Sequence, residues 1–125
     1  MKNVILIAAP AAGKGTEAAL LKEQYNVILV KNGMEAINKV MEKKPDLILL
    51  DYEMPVCDGR QVLEMIRAES DLADIPVIFL TNKNDRESVT KVTALKPEGY
   101  LLKTMEPVKI VKAIDNFFEK KKWEF

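Results

Sequence analysis

The sequence predicts an α/β fold built on a five-stranded parallel sheet. Short apolar runs rich in Val, Ile and Leu alternate with amphipathic stretches over the whole length, which is the pattern of consecutive βαβ units. The apolar runs are continuous, as is typical of strands that are covered on both faces. Because 125 residues with 48% hydrophobic content suit one core, we expect a single domain over residues 1–125.

Five apolar runs are predicted to be strands. Pro45 and Pro97 stand at the junctions before the third and fifth runs, where a missing N–H does least harm. In chain order, the predicted strands are Asn3–Ile7, Asn26–Val30, Asp46–Leu50, Pro76–Thr81 and Gly99–Leu102. Right-handed crossovers between parallel strands favour the doubly wound order 2-1-3-4-5, a flavodoxin-like three-layer sandwich.

Five amphipathic stretches between and after these strands are predicted to be helices, at about residues 14–24, 34–43, 59–69, 85–95 and 106–122. Helical spacing predicts that the second, third and fifth helices each bury an apolar stripe. The stripes are Ile37, Val40 and Met41; Val62, Leu63 and Ile66; and Ile110, Val111, Ile114, Phe117 and Phe118. The fourth helix has a thinner stripe, which indicates a helix available to a partner.

The composition excludes several classes of function. The 19 basic and 19 acidic residues cancel, so we expect no binding to nucleic acid or to an acidic membrane surface. The chain has no histidine, which excludes histidine acid–base catalysis, Ser-His triads and imidazole metal sites. The single cysteine, Cys57, has no partner for an internal disulfide, which favours a cytoplasmic location.

Polar side chains stand at or just after the ends of three predicted strands. Asp51 follows the third strand, Thr81 closes the fourth and Lys103 follows the fifth. In doubly wound sheets, ligands bind beyond the carboxyl ends of the strands, at the switch point between strands one and three. Because a buried carboxylate is costly unless it is paired, we expect these three residues to converge, either as a reactive site or as a structural ion pair.

Residues 51–59, Asp-Tyr-Glu-Met-Pro-Val-Cys-Asp-Gly, resemble the phosphoacceptor loop of the receiver domains of bacterial response regulators, and the resemblance covers about residues 27–118. It implies that Asp51 accepts a phosphoryl group from the phosphohistidine of a sensor kinase. Lys103 would contact that group. Thr81 and Tyr100 would be the switch residues. They would remodel the face made by the fourth predicted helix, the fifth strand and the fifth predicted helix, which would bind the kinase or a downstream protein.

The acidic pair that this family uses to hold Mg²⁺ at the end of the first strand is replaced here by Ala8 and Ala9. Asp51 and the backbone carbonyl of Glu53 remain as possible ligands, which predicts a weak, water-rich Mg²⁺ site. We therefore expect Mg²⁺-dependent phosphorylation of Asp51 to be impaired.

The loop after the first strand contains Gly13-Lys14-Gly15-Thr16 directly before the first predicted helix. Free N–H groups and the dipole at a helix start favour a bound anion, and Lys14 adds a full charge. Residues 8–25 resemble the P-loop segment of adenylate kinases, although Ala8 and Ala11 stand where that family has glycine. The resemblance implies binding of phosphate or a nucleotide such as ATP or ADP, and the combination suggests a hybrid of two families, natural or engineered.

Three functional hypotheses remain open from the sequence. The first is a receiver-like signalling domain, and the second is a phosphate or nucleotide binder on the same scaffold. The third is a scaffold in which Lys14 pairs with Asp51 and neither activity survives. Since no lid or substrate domain of adenylate kinase is visible, we expect no enzyme activity beyond self-phosphorylation of Asp51.

Overall fold

The computed structural model describes residues 2–7, 20–51, 59–81, 98–102 and 106–122. The strands are β1 (Asn3–Ile7), β2 (Asn26–Val30), β3 (Leu47–Asp51), β4 (Val77–Thr81) and β5 (Gly99–Leu102). The described helices are α1 (Gly33–Glu42), α2 (Gly59–Ala68) and α3 (Pro107–Lys122). They correspond to the second, third and fifth predicted helices. Residues 20–22 are helical and belong to the first predicted helix, and the fourth lies outside the described residues.

The five strands form one parallel sheet in the order β2-β1-β3-β4-β5. This order confirms the predicted doubly wound α/β topology. The long apolar runs form strands because β-branched and Leu side chains pack on both sides of a pleated sheet. All five residues of β3, at the centre of the sheet, are buried.

Alternation along the strands divides the apolar side chains into two cores. One core lies under α1 and α2, on what we call the α1–α2 face, and the other lies under α3, on the α3 face. The first contains Ile5, Ile7, Val30, Ala36, Val40, Ile48, Leu50, Val62, Leu63, Ile66, Leu72, Ile75, Val77 and Phe79. The second contains Val4, Leu6, Leu21, Tyr25, Leu47, Leu49, Ile78, Leu80, Ile110, Val111 and Ile114.

The predicted core stripes are correct for α2 and nearly so for α3. In α2 the whole stripe is buried, whereas in α3 Phe117 and Phe118 are only partly buried. The prediction was wrong for Met41 of α1, which is 61% exposed, because the buried side of this helix is formed by Gly33, Ala36 and Val40. The thinner stripe predicted for the fourth helix, Val89, Val92 and Leu95, lies outside the described residues.

Several predicted boundaries differ from the structure by one residue. Helix α1 begins at Gly33 because the side chain of Asn32 accepts a hydrogen bond from the backbone N–H of Glu35, at 2.9 Å, and so caps the helix. Strands β3 and β4 begin one residue later than predicted, at Leu47 and Val77, and β3 includes Asp51. The candidate carboxylate is therefore the last residue of the strand rather than the first residue of the loop.

No helix in the described part of the chain is long and apolar enough to cross a membrane.

Candidate functional site

Because all five strands are parallel, their carboxyl ends lie together at one end of the sheet. Ile7, which ends β1, pairs with Leu50 of β3, so β1 ends one position before Asp51 in the register of the sheet. Asp51 pairs with Leu80 of β4, one residue before Thr81, and Thr81 pairs with Leu102 of β5. Since neighbouring strands lie about 4.8 Å apart, the backbones at Asp51 and Thr81 are close to each other.

Asp51 is the one buried charged residue in the described part of the chain, with 1% of its surface exposed. Its strand positions it there, since Leu47 to Leu50 are completely buried and carry the next residue to the mouth of the sheet. A buried carboxylate requires compensating partners, and Asp51 is partnered within the folded chain. A carboxylate at this place is suited to react with, or to bind, a ligand beyond the strand ends.

Tyr100 lies on β5 and packs against the core of the α1–α2 face. Its ring stacks on that of Phe79 in β4, with the centroids 6.0 Å apart and an angle of 15° between the ring planes. Phe79 is completely buried, whereas Tyr100 is half-buried. Tyr100, which is predicted to be a switch aromatic, therefore contacts the strand that ends in Thr81.

Most of the other predicted site residues lie outside the described residues. This holds for Ala8, Ala9, Glu53 and Lys103, and for the segment Gly13, Lys14, Gly15 and Thr16. The structure does confirm the arrangement that any meeting of Lys14 with Asp51 requires, namely that β1 and β3 are neighbours in the sheet.

A magnesium site needs several oxygen ligands, and carboxylates are the usual protein contribution. The described residues contain no group of three or more His, Cys, Asp or Glu side chains able to hold a metal ion. At the carboxyl ends of β1, β3 and β4, the described residues provide the carboxylate of Asp51 as a possible ligand for Mg²⁺. The two residues directly after β1 are alanines, whose side chains have no oxygen.

The comparison with protein families decides the classification of this site. The response regulator receiver domain family matches residues 8–115. The chain belongs to this family. The match includes the loop after β1, and the comparisons give no support for an adenylate-kinase-like segment or for a hybrid of two families. Receiver domains belong to two-component systems, in which they interact with sensor histidine kinases and downstream effectors.

Several curated relatives are longer proteins. The chain is 38% identical over 103 residues to a probable transcriptional regulator, ycf29, from Porphyra purpurea, covering 82% of this chain and 49% of the relative. It is 37% identical over 95 residues to the transcriptional regulatory protein LnrK from Bacillus subtilis, covering 75% of this chain and 42% of the relative. The chain thus spans about half the length, or less, of these proteins.

Solved structures agree with the fold. The phosphorylated cyanobacterial phytochrome response regulator RcpA is 29% identical, with a TM-score of 0.83 over 93% of this chain and 92% of that chain. The Mn²⁺-bound form of response regulator Rcp1 is 28% identical, with a TM-score of 0.81 over 94% of both chains. The chemotaxis protein CheY4 of Vibrio cholerae, at 24% identity, has a TM-score of 0.82 over 93% of this chain and 98% of that chain and supports the fold.

The sequence did not predict a cavity that lies at the other end of the sheet, where strands β1, β2 and β3 begin. It has a volume of about 550 Å³ and is lined by Lys2, Gln24, Tyr25, Asp46, Asp115, Phe118 and Glu119. The hydroxyl of Tyr25 donates a hydrogen bond to Oδ1 of Asp115, and the Tyr25 ring contacts Phe118 with centroids 5.3 Å apart. The lining residues come from four segments that are distant in the sequence, so no local pattern indicates that they meet.

Proposed function

We propose that this protein is a phosphoacceptor receiver unit over residues 1–125, in which Asp51 takes a phosphoryl group from a sensor histidine kinase. The observation that supports this best is the position of Asp51, the buried carboxylate at the carboxyl end of the central strand β3. The family membership supplies the reaction, and the similar response regulator RcpA has been solved in its phosphorylated form.

In the proposed reaction, an oxygen of the Asp51 carboxylate attacks phosphorus. A P–O bond forms to give an aspartyl phosphate, and the bond between phosphorus and the donor's leaving atom breaks. The charge of the incoming phosphoryl oxygens must be offset, and we assign that role to the ammonium group of Lys103. When bound, Mg²⁺ would provide additional positive charge at the same oxygens.

We further propose that Mg²⁺ binds weakly and that phosphorylation is impaired. The carboxylate of Asp51 and the carbonyl of Glu53 would hold the ion, together with water, because Ala8 and Ala9 provide no carboxylate. The similar response regulator Rcp1 has been solved in a Mn²⁺-bound form, which supports binding of a divalent cation.

We assign the response to phosphorylation to Thr81 and Tyr100. Thr81 ends the strand next to Asp51, and Tyr100 stacks on Phe79, two residues before Thr81 on the same strand. A shift of Thr81 toward a phosphoryl group on Asp51 would act on the Phe79–Tyr100 pair through β4. This would alter the face that includes β5 and α3, where a kinase or downstream protein would bind.

The test is incubation with acetyl phosphate and Mg²⁺ followed by intact-mass measurement. We expect a gain of one phosphoryl group in the natural sequence, at a slow rate, and no gain in Asp51→Asn. Asp46→Asn is the matched control, because Asp46 directly precedes the same strand at its other end and is exposed; it should retain the gain. A gain that persists in Asp51→Asn, or no gain in any variant, would contradict the proposal.

Phosphate or nucleotide binding at Gly13, Lys14, Gly15 and Thr16 stays a prediction from the sequence. Calorimetric titration with phosphate, ADP and ATP tests it, with Lys14→Ala as the comparison. Heat released by the natural sequence and lost in Lys14→Ala would support an anion site, whereas equal and negligible heats would remove this hypothesis.

A further inference from the structure

The outer edge of β2 is an end of the sheet, and no strand among the described residues lies beyond it. The backbone N–H of Asn26 donates to the carbonyl of Lys2 at 2.9 Å, on the β1 side. Because backbone groups of successive residues in a strand point to opposite sides, Ile28 and Val30 also face β1. The N–H and C=O groups of Val27 and Leu29 therefore point outward, away from the sheet.

Within β2 itself, which the structure describes completely, three features that often prevent strand addition are absent. Edge strands are usually protected by charged residues, proline or a bulge. The five residues of β2, Asn-Val-Ile-Leu-Val, include neither a charge nor a proline, and all five pair in register with β1 without a bulge. Two of its apolar side chains are also exposed, Ile28 to 38% and Leu29 to 51%. A partner strand would bury both.

The flanking backbone groups restrict how a partner can pair. The N–H of Tyr25 donates to the carbonyl of Leu21 at 2.8 Å, and the N–H of Lys31 is 3.4 Å from a carboxylate oxygen of Glu35. Only Val27 and Leu29 therefore have both backbone groups available on this edge. An antiparallel partner strand with the same β2 sequence provides hydrogen-bond partners for the N–H and C=O groups of Val27 and Leu29. It does so in a single register, in which the two Ile28 residues lie opposite each other.

We propose that two copies of this chain form a symmetric dimer through antiparallel pairing of their β2 strands. Val27 of one copy lies opposite Leu29 of the other, and each such pair exchanges two hydrogen bonds. The two Ile28 residues then face each other as a non-hydrogen-bonded pair, with their Cα atoms about 4.5 Å apart. The two five-stranded sheets become one continuous sheet.

A second copy is the favoured occupant because this strand already pairs with a near-identical one. β1 reads Asn-Val-Ile-Leu-Ile, and it differs from β2 only at its last residue. In the β1–β2 ladder Ile5 lies beside Ile28 and Leu6 lies beside Leu29, so isoleucine is paired with isoleucine and leucine with leucine. The strand has no charge that would repel its copy, and the formal net charge of the whole chain is zero.

The oligomeric state of the full chain tests this proposal. We expect sedimentation equilibrium to show a reversible monomer–dimer equilibrium. Leu29→Lys should raise the dimer dissociation constant at least about tenfold, because it places two like charges at the shared edge. Leu29→Pro should have the same effect, because it removes an outward N–H and leaves the β1–β2 ladder intact. Val108→Lys changes a side chain that is 65% exposed on α3 and is the matched control, with no expected effect.

Cross-linking tests the register separately. In a Cys57→Ser background, Ile28→Cys should form a disulfide-linked dimer under mild oxidation, whereas Met34→Cys, on the exposed side of α1, should not. A natural sequence that stays monomeric at millimolar concentration would overturn the proposal. So would a dimer that Leu29→Lys leaves unchanged while circular dichroism shows a folded protein.

Discussion

The ring of Tyr100 stacks on the ring of Phe79 at a centroid distance of 6.0 Å and thereby joins the edge strand β5 to β4. Phe79 belongs to the core of the α1–α2 face, and the partly buried Tyr100 packs against this core. Since β4 ends at Thr81, one residue after the Leu80 that pairs with Asp51, the aromatic pair connects the candidate phosphorylation site to the outer strand of the sheet.

The first prediction concerns this aromatic pair. Tyr100→Ala should lower the free energy of unfolding by about 1–2 kcal/mol, because it removes a half-buried ring and its stacking contact. Tyr100→Phe retains the ring and should lower it by less than about 0.5 kcal/mol. Urea unfolding measures both values, and equal losses in the two variants would show that the hydroxyl, rather than the stacked ring, is the stabilising part.

The second prediction concerns the acidic pair that the chain lacks. Replacing both residues after β1, by Ala8→Asp and Ala9→Asp, should raise the rate of Asp51 phosphorylation by acetyl phosphate at least about tenfold at fixed Mg²⁺ concentration, since added carboxylates strengthen Mg²⁺ binding. The rate is measured by intact mass. Adding Asp51→Asn to the double variant should abolish the reaction. An unchanged rate would mean that Mg²⁺ binding does not limit phosphorylation.

The third prediction concerns the pH dependence of stability. Burial raises the pKa of Tyr25, and the hydrogen bond to Asp115 and the nearby charges of Asp115 and Glu119 raise it further. The unfolded chain therefore loses this proton near the ordinary tyrosine value of about 10, while the folded protein keeps it. The contribution of Tyr25 to the free energy of unfolding should therefore be complete below about pH 10 and should decrease as the pH rises above this value.

Tyr25→Phe separates this effect from the titration of other groups. At pH 8, the variant should be less stable than the natural sequence by about 1–2 kcal/mol, because Asp115 loses its hydroxyl donor. The difference should shrink between pH 10 and pH 11. Urea unfolding at the three pH values provides the check, and a difference that stays constant with pH would refute the argument.

The fourth prediction concerns Arg67, near the end of α2. One of its terminal nitrogens (Nη1) donates to the carbonyl oxygens of Ala73 and Ile75, at 3.0 and 2.8 Å, and so holds the turn that leads into β4. Arg67→Met should lower the free energy of unfolding by about 1–2 kcal/mol, since two partly buried acceptors lose a charged donor.

Arg60 on the same helix is the matched control for Arg67. It forms an exposed salt bridge with Glu64 at 3.1 Å, and such pairs contribute little. Arg60→Met should therefore change the stability by less than about 0.5 kcal/mol. If Arg67→Met and Arg60→Met lowered the free energy of unfolding by similar amounts, the hydrogen bonds from Arg67 to the turn would contribute no more than the exposed salt bridge of Arg60.

The fifth prediction concerns Gly99, the first residue of β5. A Cβ atom added there would meet no atom within 4 Å, and its φ lies outside the left-handed region. Gly99→Ala should raise the free energy of unfolding by about 0.4–1 kcal/mol, because alanine restricts the unfolded chain. Thermal unfolding measures this change, and a decrease in the melting temperature would contradict it.

The sequence predicted the strands well because each is a dense apolar run with clear ends. It predicted their order because right-handed crossovers leave few topologies for five parallel strands. It was less accurate at Met41, where helical spacing indicated a core position. The stripe of α1 is centred on Gly33, Ala36 and Val40 instead, so Met41 lies at its margin and is exposed.

By itself, the sequence determined the α/β class, the strand order and the identity of Asp51 as the residue that ends the central run. These follow from local patterns and from the chirality of the chain. Only the tertiary structure decided that Asp51 is buried, that Tyr25 meets Asp115, and that β2 exposes Ile28 and Leu29. Each of these depends on contacts between residues far apart in the chain, and such contacts leave no periodic signal in the sequence.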